Sequence, residues 1–490
     1  MTRRIRILWQ ATFLGLFLWL LARLAAGDPR AFPYGVFALG DPLFAAGLAF
    51  AAGTLPRALA FAALVLVATL AFGRFVCGWV CPLGTLQQLS SWLLSPRTRR
   101  ESLEVNRWRK AYALKYYLLA ALAALALAGT LQVGLLDPIS LLSRGLAAGL
   151  WPVLPGGRPV PGGWLAALPL LAVLLASRWI PRFFCRALCP LGALLGVFAR
   201  FSLLRLERRA GACTDCSACR FACQGADEPL GAHRPAECLM CLNCVPGCPE
   251  EALGFRFLGR ASPAPERPDL SRRHLVGSAL AGVVIAPVLA AAGGGRQAGR
   301  AERIRPPGAC GEAEFLTRCV KCMLCGQACP TGAIQPALAQ AGVEGFWTPV
   351  VVPRRGPCEF ACTRCGEVCP TGAIAPLLTA RKTGYDGSPP VRIGSAFVDP
   401  GRCLPWAMGT PCIVCEEHCP TDPKAIWLTR EEARTRDGRA VTLARPHVEP
   451  SRCVGCGICE HRCPVGELAA IRVSSVGETR DPLNRMLLGS

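Results

Sequence analysis

Histidine is almost missing from this chain: five stand in 490 residues, His233, His274, His418, His447 and His461. The apolar first part of the chain therefore has no imidazole pair to hold a haem iron. No Cys-x-x-Cys-His attachment site occurs, and there is neither a dinucleotide-type Gly-rich fingerprint nor a phosphate-binding loop. Acidic residues are also scarce, 33 against 54 Lys and Arg, which leaves a net charge of +21. That excess raises nucleic acid as a partner, and its distribution argues against it. Arg3, Arg4 and Arg6 precede the first apolar run, and Arg97, Arg99, Arg100, Arg107, Arg109 and Lys110 separate the second from the third. Arg178, Arg182, Arg186, Arg200, Arg205, Arg208 and Arg209 surround the end of the fourth, the pattern of cytoplasmic membrane flanks.

Hydrophobic residues make up 52% of the chain, and nearly all the long apolar runs fall before residue 185. A hydrocarbon core about 30 Å thick needs roughly 20 apolar helical residues. Four stretches qualify as spans: 7–26, 58–80, 111–131 and 164–184. The apolar segment 41–55, interrupted by Gly53 and Pro56, either lengthens the second helix with a kink or lies in the interface. The loops after the first and third spans carry few basic residues (Arg30; Arg144 and Arg158), so both ends of the four-span unit are expected to face the cytoplasm. Pro152, Pro155, Gly156, Gly157, Pro159, Pro161, Gly162 and Gly163 make the second outer loop irregular. Asp41 and Asp137 each precede a proline at an outer helix border, as a turn or cap residue would, with proton transfer as the functional alternative.

Cysteine is what the chain has in plenty, 29 residues in tight runs. Cys213, Cys216, Cys219 and Cys223 have the spacing C-x2-C-x2-C-x3-C, and Cys238, Cys241, Cys244 and Cys248 repeat it. It returns at Cys319, Cys322, Cys325, Cys329 and at Cys453, Cys456, Cys459, Cys463. Two variants lie between: Cys358, Cys362, Cys365, Cys369, and Cys403, Cys412, Cys415, Cys419. Three closely spaced thiolates wrap one face of a 4Fe-4S cubane while the fourth, on a Pro-terminated turn, reaches a neighbouring cubane, so such motifs work in pairs. Zinc prefers separated cysteine pairs, and disulfides prefer small secreted domains. Six tetrads thus predict six 4Fe-4S clusters.

In the first pair Cys248 is expected to complete the Cys213, Cys216, Cys219 cluster, and Cys223 the Cys238, Cys241, Cys244 cluster. Gln224 follows Cys223 where proline is usual. For the last four tetrads nested and sequential pairing both stay open. Cys-Pro-Thr-Gly-Ala-Ile at 329–334 and again at 369–374 marks duplicated ferredoxin units. A different motif follows the second and fourth spans: Cys77-Gly78-Trp79-Val80-Cys81-Pro82-Leu83-Gly84 and Cys185-Arg186-Ala187-Leu188-Cys189-Pro190-Leu191-Gly192. Cysteines at i and i+4 share a helical face, so Cys77, Cys81, Cys185 and Cys189 could converge on a further metal or cluster, the alternative being redox-inert or disulfide-forming thiols. Cys310 belongs to no set.

A Pro-rich linker (Ser262, Pro263, Pro265, Pro268) ends the first Cys-rich segment. The run Ser271-Arg272-Arg273-His274-Leu275-Val276 then opens a mildly apolar stretch like an internal twin-arginine export signal, although Arg296, Arg300, Arg303 and Arg305 follow it. An ordinary fifth helix with a chance arginine pair is the plainer reading. The expected architecture is an α-helical membrane bundle, four spans plus a fifth anchor or signal helix, followed by α+β ferredoxin-like 4Fe-4S domains. Its parts are a membrane domain over 1–200, a cytoplasmic two-cluster ferredoxin over 201–260, a linker and signal helix over 261–300, and a four-cluster domain over 301–490.

The paired Cys-x3-Cys-Pro-Leu-Gly motifs, four spans and two-cluster tail resemble NapH, the membrane quinol dehydrogenase subunit of periplasmic nitrate reductase systems. The twin-arginine-like segment and the four later tetrads resemble NapG, or MauM-type ferredoxin, so the chain looks like a fusion of the two. The resemblance implies oxidation of membrane quinol from the quinone pool and cluster-to-cluster transfer. It further implies delivery to a periplasmic reductase or c-type cytochrome from the bacterial inner membrane, the C-terminal domain lying outside. A second expectation, from another class, is a membrane-bound factor that matures a respiratory metalloenzyme.

Overall fold

The computed structural model describes residues 2–26, 35–54, 60–94, 98–153, 163–225, 227, 229, 233–258, 270–292, 301–338, 340–434, 438 and 440–484. Arg30, Pro56, the outer-loop residues from Pro155 to Gly162, the linker at Ser262 to Pro268, Arg296 and Arg300 lie outside them. The chain forms two compact units, one built largely from the chain before Val288, the other from Leu289–Ser490 with two short loop segments.

In the first unit one plan occurs twice. Asp41 caps helix Pro42–Ala52, its carboxylate accepting from the N–H groups of Leu43 and Phe44 at 2.7 and 3.3 Å. Asp137 caps helix Pro138–Arg144, accepting from Ile139 and Ser140 at 2.9 and 2.8 Å. Proline at the first helical position costs nothing at either start, because that N–H has no helical partner. An apolar helix follows in each copy, Phe61–Phe72 and Gly163–Ala176. Next comes a one-turn helix with one cysteine, Phe75–Trp79 or Phe183–Ala187, and then a helix opened by Cys-Pro, Pro82–Leu94 or Pro190–Ala199.

This differs from the uninterrupted spans expected over 58–80 and 164–184. Gly73 breaks the first at φ +71° and ψ −157°, a conformation open to glycine. The second breaks between Ala176 and Phe183, where Arg182 is left-handed at φ +54°. The segment 41–55 is neither a kinked extension nor an interfacial strip. It is a separate helix, ended by left-handed Gly53 and buried at Leu43, Phe44 and Leu48. Among the described residues three helices, Arg3–Ala26, Lys110–Leu127 and Arg272–Ala291, are long and apolar enough to cross a membrane. Gly282 of the last faces Ala121, whose carbonyl would lie 2.5 Å from an added Cβ, so a glycine sets that close helix approach.

The first unit ends in a Cys-rich head in which Leu204–Arg208 pairs antiparallel with Leu253–Phe257. Leu206 and Leu253 pack there against Cys219 and Cys244, so the apolar residues are gathered around cysteines. In the second unit three antiparallel pairs, Ile334–Pro336 with Pro349–Val351, Ser395–Val398 with Ile471–Ser474, and Ile426–Arg434 with Ala440–Val448, frame cysteine loops.

Candidate iron-sulfur sites

Each regular tetrad wraps its loop in one way. The residues two and four places after the first cysteine have positive φ: Asp215 and Ser217, Met240 and Leu242, Lys321 and Met323, Gly455 and Gly457. Six of these eight are not glycine, and a left-handed non-glycine costs on the order of 1 kcal/mol. Repeating that strain four times turns successive N–H groups inward as a nest for an anionic group. In three of the four the third cysteine then sits in a one-turn helix, Cys219 in Ala218–Ala222, Cys325 in Leu324–Gln327 and Cys459 in Ile458–Arg462, while Cys244 lies in a turn. The variant tetrads keep that turn around Cys365 and Cys415.

The fourth cysteines cross between neighbouring loops. In the head, Cys248 comes within electrostatic reach of Cys219, itself beside Cys213, and Cys223 comes within reach of Cys244 and Cys241. In the second unit Cys369 joins Cys319, Cys322 and Cys325, and Cys329 joins Cys358, Cys362 and Cys365. Cys463 joins Cys403, Cys412 and Cys415, while Cys419 joins Cys453, Cys456 and Cys459. Pairing is therefore sequential, third tetrad with fourth and fifth with sixth. One pocket is lined by Cys403, Cys412, Cys415 and Cys463, and another by Cys419, Cys453, Cys456 and Cys459. The Cys358 N–H donates to the Cys456 carbonyl at 2.8 Å and joins the two pairs.

Burial pushes the Cys319 thiol up to about 11 and Cys322 to about 12, so a soft metal must displace the proton. Among the described residues no three His, Cys, Asp or Glu side chains close on a single metal ion. Sulfurs around one zinc stand about 3.8 Å apart, as a tetrahedron with Zn–S near 2.3 Å requires. Quartets that each take their fourth cysteine from a neighbouring loop suit a cubane cluster, whose ligands are shared in this way between paired motifs.

The two Cys-x3-Cys-Pro motifs also meet, though not as a continuous helical face. Each one-turn helix ends inside its motif, where the Cys81 and Cys189 N–H groups donate five residues back to Val76 and Phe184, and proline starts a new helix. Cys81 and Cys189 both lie within electrostatic reach of Cys77 and Cys185. Buried Arg182, from the second copy, donates to the Cys77 carbonyl at 3.0 Å, and Gln87 of the first donates to Cys185 Sγ at 3.3 Å. Arg74 of the first copy lies against Gly192 of the second, where an added Cβ would be 2.6 Å from its guanidinium. Arg74 Nε and Nη2 and Arg182 Nε are buried without a hydrogen-bond partner, an arrangement that suits an anionic group held by the four sulfurs.

The head sits directly on this site. A Cβ on Gly78 would come 2.1 Å from the Leu239 carbonyl, and Trp79 Nε1 donates to the Met240 carbonyl at 2.8 Å. Buried Glu237, beside Cys238, accepts from Lys115 and from Tyr116 Oη and pairs with Arg74 at 3.5 Å. Gln224, in the place of the usual proline, has its carbonyl held by Arg186 at 2.8 Å and its side chain by Arg6 at 3.1 Å. Proline there would lack that side-chain acceptor.

Cysteine spacing alone could not find these partners. A repeated Cys-Pro-Thr did signal one set: the hydroxyls of Thr331, Thr371 and Thr421 lie 3.4, 3.8 and 3.3 Å from Cys329, Cys369 and Cys419 Sγ. Lys382, which touches Cys358 Sγ, carried no signal. Cys310 lies outside every quartet, its thiol 3.4 Å from the Ala373 carbonyl.

A sequence model described as a 4Fe-4S binding domain matches twice, at 54–101 and 161–209, over the two copies of the membrane-type motif. A second 4Fe-4S binding domain matches at 315–335 and 446–466. Protein NirI of Paracoccus denitrificans is 33% identical over 185 residues, 37% of this chain and 26% of NirI. The methylamine utilization ferredoxin-type protein MauN of Methylorubrum extorquens is 35% identical over 199 residues, 39% of this chain and 61% of MauN. Ferredoxin-type protein NapH of Haemophilus influenzae is 28% identical over 231 residues, 44% of this chain and 75% of NapH. The chain thus spans about a quarter of NirI and three fifths of MauN. No solved structure matches it. The two pairs of 4Fe-4S domain matches and these relatives make the chain similar to ferredoxin-type proteins of the NapH and MauN kind.

Proposed function

We propose that this chain takes electrons from membrane quinol and passes them to a reductase or c-type cytochrome outside the cytoplasm, in a nitrate reductase-type system. Bound clusters supply one-electron storage and transfer at potentials set by their protein surroundings. Holding them is the work of the six quartets with exchanged fourth cysteines. Cys77, Cys81, Cys185 and Cys189 hold a seventh, each copy of the membrane motif contributing two ligands. The partnerless donors of Arg74 and Arg182 support that assignment, since two guanidiniums offset part of the charge of four thiolates.

One observation carries the reading. The Leu239 to Cys241 loop of the head rests on Gly78 and Trp79, inside the membrane motif, so the loops that carry the two sets of thiols are in direct contact. The exposed Val276, Leu280, Val283, Val284 and Val288 of helix Arg272–Ala292 support lipid contact. In this reading 1–200 is the membrane domain, 201–260 a cytoplasmic ferredoxin, 261–300 linker and twin-arginine signal anchor, and 301–490 a periplasmic four-cluster domain.

The test is reconstitution of the anaerobically purified chain in liposomes, with addition of quinol. Bleaching of the iron-sulfur absorbance within seconds is expected. A protein that carries its clusters and stays oxidised under excess quinol, while dithionite reduces it, would rule out quinol as the donor.

A further inference from the structure

Lys382 is buried in the second unit, 6% exposed, on the short helix Thr379–Thr383. Its ammonium donates to Cys358 Sγ at 3.4 Å, to the Glu359 carbonyl at 2.6 Å and to the Cys362 carbonyl at 2.7 Å. Three acceptors match the three protons of an ammonium, so the charge is held in place at the sulfur. The backbone fixes it as well: Gly384 ends the helix at φ +83°, and the Val391 N–H donates to the Lys382 carbonyl at 3.0 Å. Neighbouring Arg381 turns to the Pro389 carbonyl instead.

Cys358 is also where the two cluster pairs meet, through its N–H and the Cys456 carbonyl. The quartets therefore follow one another in the order Cys319 set, Cys358 set, Cys453 set, Cys403 set. A fixed cation with an N–H···S bond stabilises the more negative, reduced form of a cluster and raises its potential. We propose that Lys382 is a tuning residue that raises the potential of the group held by Cys329, Cys358, Cys362 and Cys365 above the value this quartet would have without the buried cation. The proposal rests on the reading that these quartets hold 4Fe-4S clusters.

The experiment is a redox titration of the full-length holoprotein followed by electron paramagnetic resonance, with iron and sulfide counted on each sample. In Lys382→Met one midpoint is expected to fall while the rest stay, and Lys382→Arg is expected to keep that midpoint near its original value. Unmoved midpoints, or a common shift of all of them, overturn the assignment. Should Lys382→Met lose a cluster, Lys382→Gln, which keeps a donor and drops the charge, decides. A full iron count with one lowered midpoint supports tuning, and a second loss of cluster overturns it in favour of a purely structural lysine. Wild-type protein without iron and sulfide in near-equal amounts refutes the cluster reading itself, whatever the lysine does.

Discussion

Gly78 shows how closely the head is seated on the membrane motif. The Leu239 carbonyl occupies the place where any side chain would begin, and that oxygen belongs to a backbone that also positions Cys238 and Cys241. A Gly78→Ala change should push the loop away by about the width of a methyl group, at a cost of roughly 1–3 kcal/mol. The expected outcome in liposomes is unchanged quinol-dependent reduction at the membrane motif, with the head clusters reduced many times more slowly by stopped flow. Unchanged head reduction would show that the contact is dispensable. At this scale the cysteine quartets were legible and their neighbours were not. Cysteine spacing reports the quartets because a thiolate loop is a local object. Arg74, Arg182, Gln224 and Lys382 act across long sequence separations, so no local pattern marks them.

Among the elements, the approach to the second unit is clasped by one carboxylate. Glu312 takes bidentate hydrogen bonds from Arg305 at 2.6 and 3.1 Å, and another from Arg480 at 2.9 Å, with Arg303 also in reach at 3.5 Å. Burial alone would push this carboxyl up, but the three guanidiniums override it and hold it at about 2. A carboxyl lowered on folding stabilises the fold above its unfolded value near 4.3 and loses that contribution as pH falls towards 2, about 3 kcal/mol in all. Acid denaturation of Glu312→Gln should therefore start from lower stability at pH 7 and converge with wild type near pH 2. Parallel curves would mean that the carboxylate is not the clasp. The short paired strands around cysteine loops were foreseeable as α+β ferredoxin units. The two broken spans were not, because hydropathy registers apolar length and is blind to a Gly73 or Arg182 whose backbone turns left-handed to swing a cysteine inward.

For the whole molecule the arginine pair at the start of the last long apolar helix bears on the compartment of the second unit. Helix Arg272–Ala292 begins with the arginine pair, and both arginines stand exposed in its first turn. Replacing Arg272 and Arg273 by Lys keeps charge and helix but removes the twin-arginine signature. Protease added outside spheroplasts should then no longer cut residues beyond 301, while the wild-type chain is cut. Equal cleavage of both would sink export by that route.

Sequential exchange of the fourth cysteines carries a consequence for how such a protein is made. Every cysteine of the first pair of quartets in the second unit lies between Cys319 and Cys369, and every cysteine of the other pair between Cys403 and Cys463. A nested arrangement would leave half-built sites waiting for the last stretch of polypeptide to leave the ribosome. Here eight thiols are complete about thirty residues before the next quartet begins, so in the proposed reading cofactor loading advances in two instalments during translation, with the hydrogen bond from the Cys358 N–H to the Cys456 carbonyl as the seam closed last.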